Sequence, residues 1–106
     1  MSAFNPKIRI SKDPDFKQVY ATGLQGSHTP FDFRLAFHNE SINWEETTPG
    51  ERLIIDREFK VEVILSPFGA KQVMLWLKRH VEEYEKKYGK IKAQKPEEGG
   101  EPGYIT

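Results

Sequence analysis

Few side chains in this 106-residue chain have the type and spacing to do chemistry. Three histidines, His28, His38 and His80, lie far apart in sequence. Ser27, His28 and Asp32 cluster around an expected turn, and His38 follows at the end of the next expected strand. A metal site would need these histidines to converge and to recruit a ligand from another chain. Neither His-x-x-x-His nor His-Glu-x-x-His occurs, and there is no Gly-x-Gly-x-x-Gly, P-loop or Gly-x-Ser-x-Gly. The chain has no cysteine, which excludes a disulfide framework, thiolate zinc sites and a cysteine nucleophile. Glu45-Glu46 and Glu82-Glu83 are adjacent pairs that read as solvated surface. Ser and Asp side chains commonly bond to turn backbone, so Ser27, His28 and Asp32 are read as turn-stabilising. No catalytic residue, metal or cofactor is expected, and enzymatic use of this turn ranks last among the functions considered.

Lys86, Lys87, Lys90, Lys92 and Lys95 form a basic run with no acid among them. Such a run could neutralise phosphates, helped by Lys7, Arg9 and Lys12 near the N-terminus. Glu97, Glu98 and Glu101 follow at once, however, and the net charge is zero. Nothing global therefore points to nucleic acid or to an anionic membrane. No apolar run approaches a membrane span, and the first residues lack the apolar core of a secretory signal. A soluble, cytoplasmic protein is expected.

The polar cluster would be positioned by a hairpin. Phe31, Phe33, Leu35 and Phe37 alternate with Asp32, Arg34, Ala36 and His38, a period of two that marks a strand with one apolar face. Pro30, which donates no backbone hydrogen bond, suits the first residue of that strand. Gly26 to Thr29 reads as the turn, and Val19 to Gln25 as the partner strand.

The stretch also carries a resemblance. Tyr20-Ala21, then Ser27-His28-Thr29-Pro30-Phe31-Asp32-Phe33-Arg34-Leu35-Ala36-Phe37, with Ser66-Pro67 and the acidic, Tyr-containing segment Glu82 to Tyr88, resembles a family of small archaeal and bacterial proteins of unknown function. The resemblance spans roughly Tyr20 to Gly89. It implies a shared fold and offers no activity, substrate or catalytic residue.

A second, longer alternation runs from Glu51 to Leu65. It places Leu53, Ile55, Phe59, Val61, Val63 and Leu65 on one face, with a bend expected near Asp56-Arg57. Between the strands, Asn39 to Gly50 reads as a loop whose Trp44 is expected to fold back onto its own domain. Ser66 then caps a helix that Pro67 starts. Ala70, Val73, Met74, Leu77, Val81, Tyr84 and Tyr88 share one stripe at helical spacing, and Gly89 ends the helix.

These elements predict an α+β fold: a three- or four-stranded antiparallel meander with one long C-terminal helix packed on one face. Phe33, Leu35, Val61, Val63, Leu77 and Val81 are the expected core. Residues 1–14 form an N-terminal arm or edge strand, 15–89 the single domain, and 90–106 a disordered tail rich in Gly, Pro and charge. Phe68, Leu75 and Trp76 lie off the helix's core stripe. They mark either a protein interface or residues tucked under the Asn39–Gly50 loop. One helix cannot cover both faces and both edges of so small a sheet, so a C₂ homodimer is expected. The leading function is a non-enzymatic homodimeric interaction or assembly module. The alternative is a nucleic-acid-associated protein using Lys86 to Lys95.

Overall fold

A computed structural model of the chain describes residues 4–93. Among these residues three antiparallel strands form one sheet in the order β1-β2-β3, and one helix follows. β1 spans Gly23–His28, β2 Phe33–Ile42, β3 Ile55–Leu65 and α1 Pro67–Tyr88. This is the α+β meander with a C-terminal helix that the hydrophobic periods predict. Residues 94–106, which include Lys95 and most of the expected tail, lie outside the described residues.

The β1–β2 turn sits later than expected, at Thr29–Asp32. Thr29 Oγ1 accepts from the backbone N–H groups of Phe31 at 3.1 Å and Asp32 at 3.2 Å. It also donates to Asp32 Oδ1 at 3.1 Å, and Thr29 N–H closes on Asp32 C=O at 2.9 Å. Pro30 occupies the second turn position, where its fixed φ is pre-set, and Phe31 is carried out of the strand. Ser27 and His28 are therefore strand residues, opposite Arg34 and Phe33.

β2 runs on to Ile42, deeper into the expected loop. Asn43 organises the rest of that connection. Its amide Nδ2 donates to Glu46 Oε2 at 3.2 Å and Asp56 Oδ2 at 3.1 Å, while its Oδ1 accepts from Glu46 N–H at 3.1 Å. Thr47 Oγ1 donates to Asn43 C=O and accepts from Ile54 N–H, which ties both ends together. Trp44 is not folded back: it is 72% exposed.

Register places Leu24, Gly26 and His28 beside Phe37, Leu35 and Phe33, and these beside Val61, Val63 and Leu65. Cross-strand partners share a face, so this is one apolar face. The pairing then slips: Phe37 opposes Val61 but His38 opposes Phe59, which leaves Lys60 as a bulge. One extra residue reverses the alternation. Phe59, Arg57 and Ile55 therefore share the opposite face with His38, Glu40 and Ile42. Phe59 and Ile55 are thus not on the Val61–Leu65 face that strict alternation assigns them.

The helix begins and ends as its sequence predicts. Ser66 is extended at φ −64° and ψ 158°, and its Oγ accepts from Gly69 N–H at 3.0 Å. Such a cap is worth about 1 kcal/mol over alanine. Gly89 takes φ 101°, a conformation open to glycine. Lys86 and Lys87 lie in the last turn, where cations complement the helix dipole.

The packing is where the structure departs from expectation. Among the described residues no apolar side chain is buried, and His38 is the buried polar one. The helix stands away from the sheet and meets mainly β3, the strand that leads into it. Of the expected core, Phe33, Val63, Leu77 and Val81 are exposed, and Leu35 and Val61 are half-buried. The radius of gyration is 18.7 Å, against about 13 Å for a compact chain of this length.

Candidate functional site

A wide gap separates the sheet from the helix. Its floor is the apolar face of the sheet, with Leu24, Phe33, Leu35 and Leu65. Ala70, Val73, Met74, Leu77 and Val81 form the helical wall. Gly23 and Gly26 carry no side chain and keep the floor low. A Cβ on Gly26 would lie 2.5 Å from the carbonyl oxygen of Arg34, so only glycine fits there. The rim is charged: Arg34, Lys71, Lys78 and Glu82 border the opening, with His28 stacked on Phe33 at 5.5 Å. The groove holds about 1320 Å³. Small-ligand pockets run to roughly 1,000 Å³ and enclose their ligand.

Phe68, Leu75 and Trp76 extend the apolar surface around the helix. They are 74%, 48% and 54% exposed, so the connection between β2 and β3 does not cover them. Trp76 stacks on His80 one turn further on, with ring centroids 3.9 Å apart. Tyr84 and Tyr88 pair at 4.8 Å along the same helix. The sequence pattern identifies these residues individually. It does not show that the core stripe is equally uncovered.

The polar candidates do not converge. His28 belongs to the groove face, His38 to the opposite face and His80 to the helix. Of the turn cluster, Asp32 joins the Thr29 network and pairs with Arg34 at 3.6 Å, while Ser27 and His28 lie in β1. Among the described residues no three His, Cys, Asp or Glu side chains could hold a metal ion. His38 is enclosed by the edge of the Phe59 ring and by Gly23, where a Cβ would come within 2.8 Å of the imidazole. Its Nδ1 has no hydrogen-bond partner and lies 3.9 Å from Glu40 Oε1, an oxygen already held by Arg57 Nη2 at 3.0 Å. Sequence reasoning missed this His38–Glu40–Arg57 grouping because the bulge at Lys60 creates it. A hydrogen bond to Lys60 and the positive charge beside it hold the Glu58 carboxyl below its ordinary value.

Lys86 and Lys87 close the helix and Lys90 and Lys92 follow it, all exposed. Lys95 lies outside the described residues. Among the described residues no helix is long and apolar enough to cross a membrane.

No curated protein and no solved structure matches the chain. Residues 2–93 match a family whose description reads "Protein of unknown function (DUF3467)", a span that takes in the sheet, the groove and the helix. By that match over most of its length, the chain belongs to the DUF3467 family of proteins of unknown function.

Proposed function

We propose that the chain works as a non-enzymatic homodimeric interaction module, in which the groove and helix of one copy are covered by those of a second. One observation carries this reading: among the described residues no apolar side chain is buried within the single chain. A domain of this size needs a core, because buried apolar surface at about 25 cal/mol per Å² is what offsets the entropy of ordering the chain. Exposed contiguous apolar patches beyond a few hundred Å² mark interaction sites. Here the patch runs the length of a 22-residue helix, about 33 Å, and across the facing sheet.

A second copy is the occupant that the surface chemistry favours. The groove presents both an apolar helix and an apolar sheet face, so it is self-complementary: each element can rest on the other's counterpart across a two-fold axis. A standard interface hides about 800 Å² per partner, with aromatic side chains as the usual hot spots. Trp76 and Phe68, both exposed on the helix, are the candidates for that role. Light scattering across a concentration series tests this. Trp76→Ala and Phe68→Glu should shift the chain toward monomer while its circular dichroism at high concentration stays that of the wild type. Variants that associate as tightly as the wild type would remove Trp76 and Phe68 from the interface.

A further inference from the structure

The N-terminal arm has the pattern of a strand and pairs with none of the three strands among the described residues. Residues 7–12, Lys-Ile-Arg-Ile-Ser-Lys, alternate basic or polar with apolar, yet Ile8 and Ile10 are 83% and 93% exposed. A turn at Asp13 redirects the chain: Phe16 N–H bonds Asp13 C=O at 2.8 Å, Asp15 N–H bonds Asp13 Oδ1 at 2.8 Å, and Lys12 Nζ lies 5.1 Å from the Phe16 ring.

On the sheet, β3 pairs only with β2, so its outer edge is open among the described residues. Open edges are ready templates for another strand. β1, the other edge, is short and carries two glycines. Beyond the Lys60 bulge, β3 runs regularly from Val61 to Leu65 with Val61, Val63 and Leu65 on the groove face and Glu62 on the other. Among the described residues Glu62 makes no ion pair, whereas Glu58 is held by Lys60. The arm has the complementary pattern, isoleucines on one side and Lys7 and Arg9 on the other. Laid along this edge, Ile8 and Ile10 continue the apolar face and Arg9 comes beside Glu62. Six extended residues cover about 20 Å, enough to span the edge. The arm leads into β1, on the far side of the sheet from its own β3 edge.

We propose that residues 7–12 of one copy add as a fourth strand to the Val61–Leu65 edge of β3 in a second copy, with Arg9 facing Glu62. This rests on the homodimer proposed above and adds the element that locks it. The arms then bind the two copies reciprocally, and both open β3 edges are closed.

The chain has no cysteine, so single cysteines report the contact without background. Full-length Arg9→Cys and Glu62→Cys chains, carrying different tags and co-expressed, should form a mixed disulfide on oxidation. Facing residues on adjacent strands have Cα atoms about 4.5–5.5 Å apart, within disulfide reach. Arg9→Glu should weaken association about two- to five-fold, and adding Glu62→Lys should restore it. A double variant R9C/E62C that closes within one chain overturns the exchange, as does a dimer that gives no mixed disulfide or a charge reversal without rescue. Those outcomes leave the homodimer standing; a wild-type chain that is monomeric by light scattering removes both.

Discussion

Truncating Leu77 to alanine tests whether the helix stripe faces water or a second copy. In the single chain Leu77 is 49% exposed. Fully burying a leucine is worth about 1.5–3 kcal/mol, so the covered half accounts for about 1 kcal/mol. A leucine enclosed on all sides loses about 2–5 kcal/mol on the same change, because the cavity left behind adds to the transfer term. In the proposed dimer the second copy should therefore contribute at least about 1 kcal/mol at each Leu77. Two-fold symmetry doubles this to about 2 kcal/mol per dimer, roughly 30-fold in Kd. Urea denaturation at several protein concentrations is the assay. Association stabilises only the folded chain, so the wild-type midpoint should rise with concentration. Leu77→Ala should lower the midpoint and move that dependence to about 30-fold higher concentration. A midpoint independent of concentration, with a loss of about 1 kcal/mol or less, shows that Leu77 faces water.

Gly26→Ala should destabilise the hairpin by about 1–3 kcal/mol, since the new methyl meets rigid backbone at Arg34, and a thermal melt reads the loss. Gly50→Ala is the contrast: space is open there, so the positive φ of 80° alone should cost about 1–2 kcal/mol. Glu58 titrates low because Lys60 bonds and pairs with its charged form, so any stability it lends is present above its ordinary pKa and lost as pH falls through the lowered one. Lys60→Ala should return the Glu58 pKa to the ordinary range in an NMR titration; an unchanged value would assign the shift to another group. Gel shifts on duplex DNA should show no steep salt dependence that replacing Lys86, Lys87, Lys90 and Lys92 by alanine removes. A slope of log K against log salt near −0.9 per lysine contact would favour the nucleic-acid reading instead.

Local chemistry made the element types legible. Ser66-Pro67 and Gly89 bracket the helix because capping needs only adjacent residues, and the β2 and β3 alternations show at a period of two. The turn lies a few residues later than Gly26 suggests, because Thr29 supplies its hydrogen bonds to Phe31 and Asp32. The bulge at Lys60 was hidden because Phe59 and Ile55 are apolar on whichever face they fall. That reversal, which encloses His38 beside Phe59, depends on register with β2, and no local pattern encodes it. The groove was half legible: periodicity identifies Leu35, Val63, Leu77 and Val81 as an apolar set, but not what lies against them. Trp44 shows the same limit, being a large aromatic that its own chain leaves exposed.

Sedimentation equilibrium of the full-length wild-type chain, from low to high micromolar concentration, asks whether an exposed core is closed by a second copy. A species of twice the 12.3 kDa chain mass should dominate, giving way to single chains only on dilution. A single species of 12.3 kDa at every concentration would mean that the groove between sheet and helix is not closed by self-association, and the homodimer would be wrong.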